Sequence, residues 1–396
     1  MAIYGYLQCR MHLSFRLFLR SVLVVLTLLL ALPVLTVLFS WLQWNAVSNN
    51  ILIEMAKTVL PDYIGTSLLL CVLVSVGVVS IGTVTAVAVT LFNFPMRRSL
   101  EWALLLPLAM PAYVVAYAYT DYLQFSGPLQ TTIREAFSLD GRVFPEVRNV
   151  WGAACIFSLA LYPYVYILAR TALSDRATQL MEAARLLGAP LSRRILRVAL
   201  PMARPAIAAG TALALMETLA DFGVSSYFGI QTFTAGIYKA WLSMDNRIAA
   251  AQLASLLLLV VMMLLQIEKS AQSRMRFSNV KLSGIASREA QQIQLSKRQA
   301  WLVCIACSLP ILFGFILPIG FMLKPLLASD ISIPWDRFAG WAFHSLQLGA
   351  LTALLAVGVA LLLSFSLRQR SSAFSRVTTQ LVGLGYAVPG AVIVVG

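Results

Sequence analysis

Charged side chains are scarce in this chain of 396 residues. Asp, Glu, Lys and Arg make up 12% of it, whereas a soluble globular domain carries about 25% of these residues. Hydrophobic residues make up 60% of the chain, and the mean hydropathy is +0.82. This composition excludes an ordinary soluble protein and indicates a membrane protein.

Several kinds of chemical site are also missing. No Gly-x-x-x-x-Gly-Lys-[Ser/Thr] segment occurs, so the chain lacks the loop that cradles ATP phosphates in many ATPases. No constellation of nucleophile, base and metal ligands stands out. Cys304-x-x-Cys307 has a redox or metal spacing, but it lies inside an apolar run without a second pair, which favours packed membrane cysteines. We therefore expect no enzyme activity and no cofactor, and the sequence assigns no metal ligands.

Long apolar runs are abundant. A helix needs about 20 apolar residues to cross a bilayer, and only helices satisfy their backbone over so long an apolar stretch. Nine candidates meet this length, at 21–42, 65–92, 100–123, 150–170, 203–223, 248–267, 300–323, 343–366 and 378–396. The sequence predicts an all-α, polytopic membrane helix bundle with about nine transmembrane helices.

The net charge of +14 has a topological explanation. If the N-terminus is cytoplasmic and the segments alternate, most Lys and Arg residues fall in cytoplasmic loops, as the positive-inside rule requires. The first apolar run follows basic residues as a signal peptide does, but it lacks a small-residue cleavage site, so we expect an uncleaved first helix. The basic excess therefore indicates a partner bilayer and no nucleic acid.

Two parts of the chain resemble each other. Residues 66–70 resemble 344–348, and residues 110–115 resemble 388–393, both at a spacing of 278 residues. Six predicted helices separate the copies, and an even number keeps the same orientation, so the repeat is parallel. The sequence predicts a first six-helix unit at 1–267, a cytoplasmic linker at 268–299 and three helices of a second unit at 300–396.

The repeat also predicts an incomplete second unit. The polar segment that begins at Glu182 should recur at about position 460, beyond Gly396. The chain reaches Gly396 inside an apolar run, so we expect a fragment of a longer protein, and a naturally short protein is the alternative.

The most informative polar segment is 178–201. It contains Glu182-Ala183-Ala184, then Gly188, then Val198-Ala199-Leu200-Pro201. We interpret it as two short helices: Gly188 ends the first with positive φ, Pro190 suits the first turn of the second, and Pro201 closes the unit. One apolar face is predicted, formed by Leu180, Ala184, Leu187, Leu191, Ile195 and Val198. A basic amphipathic helix lying on lipid headgroups is the alternative.

This segment resembles the EAA loop of ABC-importer permeases, with Val198 where the family usually has Ile. The resemblance implies the ABC importer permease fold and a separate ATPase, expected in two copies, that grips the loop. Glu182 would meet a basic residue of the ATPase and Gly188 would permit the turn. Ala183 and Ala184 would keep the surface small enough to enter a groove, and Leu200-Pro201 would complete the motif.

A second segment bears on the cargo. Residues 214–229 and 231–241 resemble ferric-iron permeases of the fused two-unit type. The resemblance implies a multi-pass protein of the bacterial inner membrane that works with a periplasmic ferric-binding protein. The outer loops 124–149 and 224–247 are the expected docking regions.

Glu217 and Asp221 are candidates for the translocation path. They lie one helical turn apart in an apolar helix, and carboxylates within membranes are costly and usually face a cavity or a partner. Oxygen ligands suit a hard cation such as Fe³⁺. Tyr113 and Tyr117, from a tyrosine-rich segment, could supply phenol oxygens, although tyrosines near helix ends often belong to the interfacial belt. The carboxylates could equally have a structural role.

Two alternatives remain open. One is the same ABC machinery with another cargo, such as thiamine, a polyamine or an inorganic anion. The other is an ion-coupled secondary transporter, which is also built from repeats but needs no ATPase.

Overall fold

The computed structural model describes residues 31–43, 46–174, 178–277, 292–328 and 334–369, with residues 21, 22, 24, 25, 28, 29, 390 and 393. Helices fill nearly all of this part of the chain. Up to the α8 segment they are α1 (Ala31–Leu42), α2 (Ala46–Thr58), α3 (Leu60–Leu91), α4 (Arg97–Ala103), α5 (Ala112–Leu123), α6 (Pro128–Phe137), α7 (Val150–Ala172) and α8 (Thr178–Leu186).

The later helices are α9 (Leu191–Arg194), α10 (Leu200–Ala220), α11 (Gly223–Phe228), α12 (Phe233–Tyr238), α13 (Arg247–Phe277), α14 (Lys297–Ile311), α15 (Leu317–Ala328) and α16 (Trp335–Gln369). Two strands, β1 (Phe92–Asn93) and β2 (Ile293–Gln294), form a short parallel pair.

Six helices in the described part are long and apolar enough to cross a membrane. They are Leu60–Leu91, Val150–Ala172, Leu191–Ala220, Arg247–Ser270, Lys297–Leu327 and Trp335–Leu362. Each corresponds to one of the nine predicted spans. In the predicted span 21–42 the structure describes a shorter apolar helix, α1, and the predicted span 378–396 lies almost entirely outside the described residues.

The predicted span at 100–123 is not one continuous helix. A helical arm at Arg97–Ala109 and a second helical segment at Ala112–Phe137 meet at 87°. Pro107 and Pro111 explain the break, because each lacks the amide hydrogen that a continuous helix requires. Pro111 has an extended ψ of 137° immediately before α5 begins. The two pieces together count as at most one span.

Helix α7 lies at the centre of the bundle, packed between α3 and α10. It presents small buried residues such as Ala153, Ala160 and Ala169, which let neighbouring helices approach closely. Helix α14 completes this core with Cys304 and Cys307, which are 5% and 0% exposed. The prediction that these cysteines are packed and not bridged is confirmed.

A second core lies between α10, α12 and α13. Helix α13 continues past the predicted membrane segment to Phe277, and so extends into the segment interpreted as a linker. After residues 278–291, which lie outside the described part, β2 pairs with β1 beside the end of α3. The chain therefore lies beside the end of α3 just before α14 begins, and Ser296 and Gln299 form a capping box at the start of α14.

Candidate functional site

The segment containing Glu182 folds as a helix closed by a glycine turn. Helix α8 ends at Leu186, and Gly188 adopts a left-handed φ of +77°. The Gly188 N–H donates to the Arg185 carbonyl (2.9 Å) and the Ala189 N–H donates to the Ala184 carbonyl (3.0 Å). This is a Schellman motif, and it favours glycine because other residues are strained at positive φ. The structure therefore has the turn that the sequence predicted at Gly188.

The second half of the segment differs from the prediction at Pro201. Pro190 caps α9, but the chain remains helical through a wide turn at Ile195–Ala199 and continues into α10. The Leu200 N–H donates to the Ile195 carbonyl five residues earlier, which is π-helical geometry. Because Pro201 lies in the first turn of α10, its missing N–H does not interrupt the helix at that point. Leu200 and Pro201 therefore join the loop rigidly to α10 instead of closing it.

Both halves of this loop have exposed residues, and the motif residues lie in the exposed part formed by α8 and its turn. Glu182 and Ala183 are exposed and Ala184 is half-buried. Leu186 and Leu187 are 89% and 88% exposed, which is unusual for leucines in a helical turn.

The predicted single apolar face is therefore only half correct. Leu191, Ile195 and Val198 pack against the main core, whereas Leu187 is exposed and Met181 is the buried residue of α8. The left-handed residue at Gly188 redirects the chain, so one helical periodicity cannot run through both helices.

The second candidate region is a cavity of about 260 Å³. Its walls come from the break before α5, from α7 and from the end of α10. The chemistry-bearing residues in these walls are Tyr113, Tyr164, Glu217 and Asp221. The lining contains no Lys, Arg or His, so its formal charges are those of two carboxylates. The structure thus brings together three of the four residues predicted for the path.

The two carboxylates are held differently. The Tyr164 hydroxyl donates to Glu217 Oε1 at 3.5 Å. Asp221 lies just after α10, and its Oδ1 accepts the Val224 N–H at 2.8 Å. Asp221 therefore caps α11, which follows it at once, while Glu217 lies one turn earlier in α10. Asp221 therefore has a structural role in addition to lining the cavity.

The tyrosines of the predicted cluster contact different parts of the structure. Tyr117 does not line the cavity; it is 51% exposed and its ring lies 5.9 Å from that of Tyr227. The Tyr119 hydroxyl donates to the Phe313 carbonyl (2.6 Å), and Tyr122 stacks on Phe321 at 3.9 Å. These two tyrosines hold the α14–α15 segment against α5.

Sequence reasoning missed the backbone part of the cavity. Leu108, Met110 and Pro111 line it because the helix breaks there. Pro107 and Pro111, four residues apart, were the feature of the sequence that could have predicted this break. Among the described residues, no group of three or more His, Cys, Asp or Glu side chains could hold a metal ion.

The geometry can now be compared with known proteins. Residues 78–268 match the sequence model of the family described as the binding-protein-dependent transport system inner membrane component. This segment is an ABC permease domain. It spans α4 to α12, the last part of α3 and most of α13, so both the glycine-closed loop and the carboxylate cavity lie inside it.

Curated relatives share this domain at low identity. The chain is 25% identical over 205 residues to the Fe(3+)-transport system permease protein FbpB 2 of Haemophilus influenzae, covering 52% of this chain and 36% of that protein. It is 24% identical over 198 residues to the putative molybdenum transport system permease protein YvgM of Bacillus subtilis, covering 48% of this chain and 85% of that one. The match thus spans about a third of the length of the iron permease.

A solved structure has the same fold. A chain of the crystal structure of a bacterial alginate ABC transporter, in complex with an alginate pentasaccharide-bound periplasmic protein, superposes with a TM-score of 0.52. The alignment covers 69% of this chain and 96% of that chain at 17% identity. The protein is therefore an all-α, multi-span membrane protein with the fold of an ABC transporter permease.

Proposed function

We propose that this chain is the permease of an ATP-driven, binding-protein-dependent importer whose cargo is ferric iron. It resides in the bacterial inner membrane with its N-terminus in the cytoplasm. The observation that carries this proposal is the exposed loop closed by Gly188, which we name the coupling loop (residues 178–201). Residues 268–299 form a linker, and residues 300–396 begin a second unit.

The coupling loop has the properties of a docking element. Glu182 is exposed, and the two exposed leucines beside it offer apolar surface to a partner. The second half of the loop runs from Leu191 as one helical piece into α10, which carries Glu217, so a force on this half reaches the cavity through a continuous helix. With no phosphate-cradling loop in the sequence, the ATPase is a separate protein, bound in two copies by the completed permease.

Charge supports the orientation. Arg185, Arg193 and Arg197 are all exposed on the coupling loop. Exposed basic residues flanking membrane helices favour the cytoplasmic side. On the other side, α6 and the α11–α12 segment form the loops on which a periplasmic ferric-binding protein would dock.

The repeat supports the second unit. Helix α3 begins at Leu60, and α16 begins at Trp335, which is 275 residues later and close to the spacing of 278 residues in the sequence repeat. Helix α16 is therefore the counterpart of α3.

Cavity charge supports a cationic cargo. The named relatives act on Fe(3+) and on molybdenum. Glu217 and Asp221 lie at the cavity without a basic residue in its lining. Such a lining attracts a cation and repels an oxyanion, because charges interact strongly where water is sparse. An inorganic anion is the second candidate, since the molybdenum relative is matched over most of its length.

The first experiment tests coupling. The permease is expressed with the candidate ATPase and binding protein, and both ATPase co-purification and uptake of radioactive ferric citrate are measured. Glu182→Lys should lower both by at least about tenfold, because like charges brought together at an interface cost several kcal/mol. Glu54→Lys, which reverses an exposed carboxylate on α2, is the matched control and should change neither. Normal coupling in Glu182→Lys would refute the docking role.

The second experiment tests cargo. Glu217→Gln with Asp221→Asn should lower iron uptake by about tenfold or more, because a buried cation without its carboxylates costs several kcal/mol. Both amides keep an acceptor oxygen, so the Val224 N–H remains bonded and the fold is preserved. The wild type could instead take up molybdate or sulfate, and the double variant could take up more of it. That result would show that the cargo is an inorganic anion and not ferric iron.

A further inference from the structure

A second charged group lies outside the cavity and the coupling loop. Glu101 of α4 forms a direct ion pair with Arg170, in the last turn of α7. The Glu101 side chain is 16% exposed and that of Arg170 is 39% exposed. The Tyr166 hydroxyl also donates to the Glu101 backbone carbonyl at 2.9 Å. These two contacts join α4 to α7.

The ion pair connects the two functional regions. On the Arg170 side, α7 ends at Ala172, shortly before α8 begins the coupling loop at Thr178. On the Glu101 side, the helical arm Arg97–Ala109 leads to the 87° break, where Leu108 and Met110 line the cavity. From Glu101 to Ala109 the arm has nine residues, which span roughly 13 Å at about 1.5 Å per residue. A movement of α7 at Arg170 is therefore passed by the ion pair to Glu101, and by this short segment to the residues that line the cavity.

Arg97 lowers the cost of opening the Glu101–Arg170 ion pair. Its Nη2 lies 4.0 Å from Glu101 Oε2, and its Nε donates to the Val89 carbonyl of α3 at 2.7 Å. Breaking a poorly exposed ion pair is costly when it leaves a charge without a partner. Arg97 stays beside Glu101 on the same helix, so the carboxylate keeps a cation when Arg170 moves away. The pair can therefore open without stranding the carboxylate.

We propose that the Glu101–Arg170 ion pair transmits movement of the coupling loop to the broken helix at the cavity, with Arg97 holding Glu101 when the pair opens. Glu101 and Arg170 are positioning residues, since neither lines the cavity. This inference rests on the proposed function, because it requires an ATPase that moves the coupling loop.

The test measures coupling efficiency instead of activity alone. Permease, ATPase and binding protein are reconstituted in vesicles, and ferric citrate uptake is divided by ATP hydrolysed. Glu101→Gln should keep ATPase co-purification and hydrolysis while lowering uptake per ATP by at least about fivefold, the lower range of a typical coupling between sites. Arg170→Gln should have the same effect, and Arg170→Lys, which keeps the charge, should restore most of it.

The matched control is Glu54→Gln. It neutralises an exposed carboxylate of α2, which lies outside the cavity, the coupling loop and the two outer loops 124–149 and 224–247. This variant should leave uptake per ATP unchanged. Unchanged uptake per ATP in both Glu101→Gln and Arg170→Gln would overturn the proposal. A lower yield of folded permease with unchanged uptake per ATP would also overturn it, since that result indicates a purely structural pair.

The wild-type sample separates this inference from the proposed function. A wild-type permease that neither binds the ATPase nor takes up iron would refute the proposed function, and the inference with it. If the wild type binds the ATPase and takes up iron, and the Glu101 and Arg170 variants have unchanged uptake per ATP, only the inference is refuted.

Discussion

The turns at Gly188 and Gly229 are built in the same way and used differently. Both glycines have left-handed φ values, +77° and +68°. At Gly229 the glycine N–H donates to the Ser226 carbonyl (3.2 Å) and the Ile230 N–H donates to the Ser225 carbonyl (3.0 Å), which repeats the bonding around Gly188. Each glycine ends a helix, α8 or α11, in a Schellman motif.

Their surroundings are opposite. Leu186 and Leu187, before the first glycine, are 89% and 88% exposed. Phe228 and Ile230, on either side of the second, are 5% and 8% exposed. The turn at Gly229 therefore packs its apolar residues into the protein's own core, and the turn at Gly188 leaves them exposed. A local motif determines the path of the backbone, while packing determines what the motif does.

The largest expected difference between the turns comes from removing their apolar side chains. Phe228→Ala should destabilise the permease by about 3–5 kcal/mol, because a buried aromatic ring is replaced by a cavity. Leu187→Ala should change stability by less than about 0.5 kcal/mol, as an exposed substitution does. Thermal unfolding in detergent measures both effects.

The same two variants should show the opposite order when ATPase binding is measured instead of stability. Leu187→Ala should reduce ATPase co-purification, whereas the Phe228→Ala protein that remains folded should bind the ATPase normally. A stability loss in Leu187→Ala as large as that in Phe228→Ala would end the distinction between the two turns.

The next effect concerns the glycines themselves. Gly188→Ala and Gly229→Ala should each cost about 1–2 kcal/mol, because alanine is strained in the left-handed region. An added Cβ would meet no atom within 4 Å at either position, so strain alone should set the cost. Equal shifts in melting temperature are expected, with reduced ATPase binding in Gly188→Ala only. Unequal shifts would show that one turn is held by contacts beyond its own backbone.

The smallest effect on stability is expected at the start of α11, the helix that ends at Gly229. Asp221→Ala removes the acceptor for the Val224 N–H and should cost about 1 kcal/mol, as the loss of a helix cap does. Asp221→Asn keeps an acceptor oxygen and should be nearly neutral for stability. Melting temperatures in detergent distinguish the two variants. Equal destabilisation by both would mean that the charge of Asp221 matters to the fold.

Short-range features were predictable from the sequence. Gly188 and Pro190 set the coupling-loop turn because their backbone preferences act within a few residues. The long spans were predictable for a similar reason, since apolarity over about 20 residues is a property of one helix. Cys304 and Cys307 were correctly expected to be packed because nothing near them in the sequence offered a site.

Long-range features were not predictable in the same way. The break at Met110–Pro111 was overlooked because apolar residues continue through it, and hydropathy does not register a missing amide hydrogen. The exposure of Leu187 could not be foreseen, since it depends on the direction that the chain takes after Gly188. The separation of Tyr113 from Tyr117 required knowing which helix lies opposite each ring.

By itself the sequence determined that this protein is an all-helical membrane bundle, where most of its helices lie and how the loop at Gly188 turns. Each of these follows from backbone preferences or from apolarity along one segment. Only the tertiary structure decided that Glu217 and Asp221 share a cavity with Tyr113 and Tyr164, and that Glu101 meets Arg170. Those contacts join residues up to about a hundred positions apart, and they exist only because α7 packs against its neighbours in one particular register.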